Sequence, residues 1–283
     1  MEHGLARGAP FCSKEEHMST FDRVSDQYAS SAVVQKNAAH KLAGLLEISP
    51  AASIIDVACG PGHITAQLKD MTQSLVVGVD ISEGMVRQAQ SSYPDIPFAT
   101  MAIEHSAYHE CFDVAFCNSA LQWFSFPEQA MQAMARSLKK GGRCGIACPG
   151  TLEWSPALMR VIKEVTQEPD IAPLFSHWRN PWFFLETAEA YQSFFERAGL
   201  KTNYIRVEHE KEWFTPEQAY QVYRSGAAQG FASGQYYDIE VSDEYLDSFN
   251  ERVYAALKRY AENNSGDGKV VLDFNRMYYV GEK

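Results

Sequence analysis

No stretch of 18 consecutive apolar residues occurs in the chain, so no membrane-spanning helix is expected. Basic residues are in deficit. Lys and Arg number 25 against 36 Asp and Glu, a formal net charge of −11. That balance argues against DNA or RNA as the main partner, because such binding draws on many Lys and Arg contacts to phosphate. It leaves room for a small anion held by one or two local arginines. The six cysteines, Cys12, Cys59, Cys111, Cys117, Cys144 and Cys148, include no CxxC pair and fall mostly in apolar segments. In a chain of 283 residues this predicts reduced, buried thiols and a cytoplasmic setting. No His, Cys or Asp spacing suggests a metal site. Residues 1–20 carry charges and no apolar core, so no signal peptide is expected there, only a flexible segment.

What is present is an alternation of short apolar runs with helical patterns. Apolar residues at Ala38, Ala39, Leu42, Leu45 and Leu46 mark one helix face. Strands are predicted at Ser53–Val57, Leu75–Asp80, Pro97–Met101, Phe112–Cys117 and Arg143–Cys148. Between them, helices are expected from Gly62 to Lys69, from Ser82 as cap to Ser91, and from Pro127 to Leu138, the last closed by Lys139-Lys140-Gly141-Gly142. Such alternation implies an α/β fold with a parallel sheet covered on both faces. Further on, helices are expected over Trp154–Gln167, Glu186–Ala198 and Leu246–Tyr260, and after Thr215. Strands are expected over Asn203–Glu208 and Lys269–Val280. Two insertions, about 150–185 and 213–268, interrupt the α/β rhythm and are expected to form a cap over a ligand site.

The segment Ile54-Ile-Asp-Val-Ala-Cys-Gly-Pro-Gly62 places Gly60 and Gly62 between a strand and a helix. Glycine there allows close backbone approach, and the helix start offers free N–H groups. Asp80 ends the next strand, 20 residues after Gly60, where an acid can accept both ribose hydroxyls of a nucleoside. His63 follows the loop and can reach a cofactor or a substrate. Asn118, Gln122 and Trp123 follow the fourth strand, and Trp123 is placed to floor a substrate pocket. His177, Trp178, Arg179 and Trp182 cluster in the first insertion, and an arginine among aromatics suits a carboxylate. Arg224 and Arg276 are weaker candidates for the same task.

Asp56-Val-Ala-Cys-Gly-Pro-Gly62, Gly78-Val-Asp80-Ile-Ser and Phe112-Asp-Val-Ala-Phe-Cys-Asn-Ser-Ala-Leu-Gln-Trp123 together resemble class I S-adenosylmethionine-dependent methyltransferases. A nicotinamide-binding loop would have a third glycine where Thr65 stands. The resemblance implies a Rossmann-like seven-stranded sheet whose last strand is antiparallel, with helical cap insertions. It divides the chain into a flexible segment (1–20), an S-adenosylmethionine-binding core (21–150) and a C-terminal part carrying the cap (151–283). It implies S-adenosyl-L-methionine as cofactor, held by Tyr28, Asp56, Ala58, Gly60, Gly62, Asp80, Ile81, Ile103 and Asn118. Trp123, His63 and Arg179 are then the residues expected around the transferred methyl group. Ala58 replaces the usual first glycine of the loop. Ala102 replaces an acid that members often use for the adenine amino group, and Glu104, two residues on, is not expected to substitute for it.

Phe21-Asp-Arg-Val-Ser-Asp-Gln-Tyr28 is similar to the opening of the malonyl-carrier-protein methyltransferase of biotin synthesis. Leu121-Gln-Trp123 is shared by that enzyme and by trans-aconitate methyltransferase, and the part from Trp178 to Tyr278 resembles the latter. Both methylate a carboxylate. The expectation is therefore methyl transfer to a carboxylate oxygen of a small organic acid. The alternatives are a carrier-protein-bound acyl carboxylate, which calls for a basic docking patch such as Lys139-Lys140, and a non-catalytic cofactor-binding regulator.

Overall fold

Ile54, Ile55, Asp56 and Val57 are all buried and form β1 (Ile54–Val57), a strand covered on both faces as the middle of a parallel sheet must be. The computed structural model describes residues 33–264 and 268–283. Its strands continue with β2 (Val76–Asp80), β3 (Phe98–Thr100), β4 (Phe112–Asn118), β5 (Leu138–Pro149), β6 (Lys201–Phe214) and β7 (Val270–Glu282). They make one seven-stranded sheet in the order β3-β2-β1-β4-β5-β7-β6. The first five run parallel. β7 inserts between β5 and β6 and is antiparallel to both. The strand order reverses at β1, where β2 lies on one side and β4 on the other, and open α/β sheets bind ligands beyond the strand ends at such a point.

The helices that cover the parallel half follow from their apolar spacing. They are α1 (Val33–Leu46), α2 (His63–Met71), α3 (Glu83–Ser92) and α4 (Pro127–Ser137). Ala38, Ala39, Leu42 and Leu46 of α1 are buried on one side. Ser82 caps α3, its Oγ accepting from the Met85 N–H at 3.1 Å. The expected closure of α4 by Lys139-Lys140-Gly141-Gly142 is corrected. The helix stops at Ser137, and buried Leu138 already pairs with Phe112 in β5. Lys139 is held at 2.8 Å by Asp113, so the four residues belong to the irregular start of the strand rather than to a helix cap.

β6 is longer than its apolar window suggests. Glu208, Glu210 and Glu212 alternate with other residues along it, and this charged half-exposed face hides the strand pattern. It nevertheless pairs with β7 as far as Phe214. Six more helices follow among the described residues: α5 (Pro156–Thr166), α6 (Ala172–Phe175), α7 (Ala188–Arg197), α8 (Pro216–Arg224), α9 (Ala228–Phe231) and α10 (Asp243–Asn264). Thr215 and Gln218 form a reciprocal capping box at the start of α8.

Residues of α5, α8, α9 and α10 share an apolar cluster with Trp182 and with Val270, Leu272 and Phe274 of β7. Its centre is aromatic. Phe175 stacks on Trp178 at 5.4 Å and on Phe249 at 5.7 Å. The Trp182 ring lies over Gly230, where an added Cβ would come within 2.2 Å of it. Of the cysteines, Cys59, Cys117, Cys144 and Cys148 are free and buried as expected, whereas Cys111 is exposed. Burial pushes the thiols of Cys144 and Cys148 up to about 12. Cys12, Tyr28 and the segment 1–20 lie outside the described residues.

Candidate active site

The loop between β1 and α2 turns through three left-handed residues, Ala58 (φ 58°), Gly60 (φ 54°) and Gly62 (φ 85°). The two glycines serve different ends. A Cβ at Gly62 would lie 2.8 Å from the Phe98 ring and 2.9 Å from Ala89, so Gly62 permits close packing of the loop on β3 and α3. A Cβ at Gly60 would meet nothing within 4 Å, and Gly60 lines a cavity. Ala58 holds a conformation that favours glycine, and its Cβ is the smallest that a chiral residue can bring there.

Asp80 closes the loop from the side. Its Oδ2 accepts from the Gly60 N–H at 2.8 Å and its Oδ1 from the Ser82 N–H at 2.9 Å. A carboxylate offers about four acceptor directions, so these two amides orient the group towards the cavity without exhausting it. Thr65, where a nicotinamide-type loop would carry its third glycine, is buried, and its Oγ1 donates to Asp56 Oδ2 at 2.7 Å. This bond ties α2 back to β1. Asp56 therefore supports the loop from beneath and does not itself line the cavity.

Burial raises the Asp56 carboxyl to about 7; the Thr65 hydrogen bond pulls it down and the Asp80 charge pushes it up. A carboxyl with a raised native pKa binds more protons in the folded than in the unfolded chain between about pH 4 and 7. Stability is thus expected to fall as pH rises through that window, by about 4 kcal/mol for a shift of this size. Asp56→Asn, which keeps an acceptor for Thr65, is expected to flatten that slope. Urea unfolding at pH 5 and pH 7.5 checks it. An unchanged pH dependence in the variant would refute the assignment.

The cavity runs from this loop across the carboxyl ends of β4 and β5. Ala58, Gly60, Asp80, Ile81, Ile103, Asn118 and Trp123, all anticipated from sequence, stand on its wall. Glu104, discounted in the sequence because of its offset, also reaches the wall through the short helical turn Ile103–His105. Of the anticipated residues, Asp56, Gly62, His63 and Arg179 are not brought there. His63 is half-buried beside the loop but does not line the cavity. Burial, reinforced by the charge of Lys36, lowers its imidazole to about 4, which makes it neutral near pH 7. Arg179 is the larger departure. Its guanidinium pairs with Asp238 and donates to the Ser176 and Trp178 carbonyls, and its side chain is 53% exposed. The neighbouring Trp178 instead turns into the aromatic cluster, donating to the Gly230 carbonyl at 2.8 Å.

The arginine of the cavity is Arg276 on β7, only 5% exposed. Its Nη1 donates to Ser119 Oγ at 3.3 Å, and its Nε lies 3.9 Å from Glu210 Oε2. Glu210 is also bound by Lys41 and by the Tyr278 hydroxyl, each at 3.0 Å. Ser119 takes a left-handed conformation (φ 58°) fixed by its N–H bond to the Ala147 carbonyl. Trp123, Trp154, Trp182, Phe184 and Phe274 share the wall, with Trp123 and Trp182 edge to face at 5.7 Å.

Gln35, Asn118 and Gln122 also face the cavity. Their amide N–H₂ groups are committed to Ser225 Oγ, the Gln35 carbonyl and the Ser119 carbonyl. Their amide oxygens are buried with no hydrogen-bond partner. Among the described residues no cluster of His, Cys, Asp and Glu is arranged to hold a metal. No helix among them is long and apolar enough to cross a membrane.

A methyltransferase domain family model matches residues 55–146. The trans-aconitate 2-methyltransferase of Rhodopseudomonas palustris strain BisA53 is 30% identical over 246 residues, covering 81% of this chain and 87% of that protein. The malonyl-[acyl-carrier protein] O-methyltransferase of Anoxybacillus flavithermus is 27% identical over 174 residues, 58% of this chain and 64% of that one. In fold, the crystal structure of the [4+2]-cyclase SpnF superposes with a TM-score of 0.60 at 15% identity, covering 98% of this chain and 99% of that chain. The glycine loop with its acid, the strand order and the relative at 30% identity agree, and the chain belongs to the class I S-adenosylmethionine-dependent methyltransferases.

Proposed function

We propose that the protein transfers a methyl group from S-adenosyl-L-methionine to a carboxylate oxygen of a small organic acid. The carrying observation is the ionisable content of the cavity wall. Among the described residues it holds Asp80, Glu104 and Arg276, and no histidine, lysine, tyrosine or cysteine. A hydroxyl, amine or carbon acid normally has to lose a proton to attack, and its base would stand beside it; the two wall acids belong instead to the cofactor end, at β2 and just after β3, with β1, β4 and β5 between them and Arg276 on β7. A carboxylate is already ionised and needs only to be held, oriented and kept dry.

The residues present fit the cofactor. Gly60 leaves an open cradle, Asp80 presents oriented acceptors, and Ile81 and Ile103 supply apolar surface for a purine. Glu104 is the acid within reach of the same end, where Ala102 offers none. The orphaned oxygens of Gln35 and Asn118 are acceptors suited to an ammonium group. When bound, the cofactor supplies an electrophilic methyl on a sulfonium. The chain's own part is to hold the acid: Arg276 receives one carboxylate, and Ser119 fixes the guanidinium. Trp123 and Trp182 exclude water, and the aromatic wall raises the nucleophile's reactivity by stripping its hydration. The relatives' names, trans-aconitate and malonyl-[acyl-carrier protein] methyltransferase, support a carboxylate acceptor. A carrier-bound acyl group is the less favoured reading, since Lys139 of the only Lys-Lys pair is tied to Asp113.

Incubation with labelled cofactor and a panel of acids, alcohols and amines tests this. Base-labile label in the product marks an ester. Label retained through alkaline hydrolysis would overturn the carboxylate reading. The segments 150–185 and 213–268 contribute Trp154, Trp182, Phe184, Val222 and Ala227 to the wall, so they are read as a closing cap. S-adenosylhomocysteine together with an acid product is expected to slow amide exchange in both segments at least several-fold. Equal exchange with and without ligands would count against closure.

A further inference from the structure

The substrate-side wall is unusual in its charge. Arg276 is its single cation among the described residues, and Glu210 stands 3.9 Å behind it. That acid offsets part of the guanidinium's charge, leaving attraction for about one carboxylate. Around it stand Trp123, Trp154, Trp182, Phe184 and Phe274. The remaining polar side chains of this wall carry no positive charge: Ser119, Ser125 and Ser225 are neutral hydroxyls, and the rest are amides. The amide oxygens of Asn118 and Gln122 are acceptors whose own N–H₂ groups are already committed, so neither can rotate to donate without breaking a bond. A second or third carboxylate would lie against indole faces or against lone pairs, stripped of water and without a counter-charge.

We infer that the acceptor is a monocarboxylic acid with an apolar, ring-bearing or unsaturated body, and not a di- or tricarboxylate. This rests on the carboxylate reading above and narrows it. The carboxylate meets Arg276 and Ser119, and the body lies in the aromatic pocket between Trp123 and Phe274, sealed by Trp182 and Phe184. The attacking oxygen forms a bond to the methyl carbon as the sulfur–carbon bond breaks. The sulfonium leaves as the neutral thioether, and the carboxylate charge ends as a neutral ester. That product carries no charge, so nothing ties it to Arg276 as the carboxylate was tied.

The test is a competition with the full-length protein and labelled cofactor, offering 3-phenylpropanoate and octanoate against trans-aconitate and citrate. Base-labile product from the monoacids is expected with kcat/KM at least 100-fold above either tricarboxylate. Calorimetry in the presence of S-adenosylhomocysteine is expected to rank the same acids in the same order. Phe184→Arg places a second cation on the wall at a half-exposed position, so the folded variant is expected to raise the trans-aconitate to monoacid ratio at least tenfold. Trans-aconitate used as well as or better than the monoacids, again as base-labile product, would overturn the monoacid inference and leave carboxyl methylation standing. Absence of monoacid binding in calorimetry would overturn it too. Methylation only of amines or alcohols would overturn the carboxylate reading itself.

Discussion

Arg276→Gln is expected to lower kcat/KM for the acid by roughly 30- to 1,000-fold, equivalent to about 2–4 kcal/mol of lost transition-state binding. Arg276 is the one cation on the cavity wall among the described residues, and at 5% exposure its charge is little screened by water. Its removal should not unfold the sheet. Glu210, the acid it would leave behind, keeps its bonds to Lys41 and the Tyr278 hydroxyl. Affinity for S-adenosylhomocysteine is expected to stay within about twofold, because the cofactor loop lies at β1 and β2, with β4 and β5 between it and β7. Arg179→Ala is the contrast. Its guanidinium is half exposed and engaged with Asp238, and exposed pairs of this kind contribute about 0–1 kcal/mol. Steady-state kinetics on both variants decides between them. A large loss in Arg179→Ala with none in Arg276→Gln would reverse the assignment.

Ala58, Gly60, Asp80 and Ile81 of the candidate cofactor half could be placed at the cavity from the sequence because their spacing is local. Gly60, Asp80 and the strand boundaries lie within 27 residues of Ile54, and each strand there is a short apolar run with turn residues at its end. Of the proposed substrate half, the sequence pointed to Trp123, Trp182 and, as a weaker candidate, Arg276, but it ranked Arg179 above Arg276, because these parts meet only through the sheet. Arg276 comes from the last strand, Ser119 and Trp123 from the end of β4, and Trp182 from the first insertion. A signal for Arg276 existed. Val270, Leu272 and Phe274 are the buried alternate positions of β7, and Arg276 continues the same set. A charged residue on such a face has either a partner or a function. Of the aromatic–arginine cluster, Trp182 reaches the cavity wall but Trp178 and Arg179 do not, because adjacency in sequence does not fix direction. The indoles turned into the apolar cluster, while the flexible arginine kept its charge in water. Glu104 was discounted by counting residues along an extended chain. The helical turn over Ile103–His105 shortens that path and brings it to the wall.

Asp80→Ala is expected to weaken S-adenosylhomocysteine by about 2–3 kcal/mol, or roughly 30- to 150-fold in Kd. The loss has two sources. The carboxylate disappears as an acceptor for the ribose hydroxyls, and the Gly60 and Ser82 amides lose the group that holds the loop in its left-handed turns. Asp80→Asn separates them. It retains one oxygen to accept from an amide or a hydroxyl but carries no charge, so a smaller loss is expected. Both variants are expected to fold, since Asp80 is only partly buried at the end of β2. A second readout reports on the same carboxylate without any ligand. The Asp80 charge is one of the causes that raise Asp56, so its removal is expected to lower the Asp56 carboxyl and to narrow the pH window in which stability declines. Calorimetry across the three proteins, with urea unfolding at pH 5 and 7.5, measures both effects. Unchanged Kd in a folded Asp80→Ala protein would remove Asp80 from the cofactor site. An unchanged pH slope would show that the two acids do not sense each other across the loop.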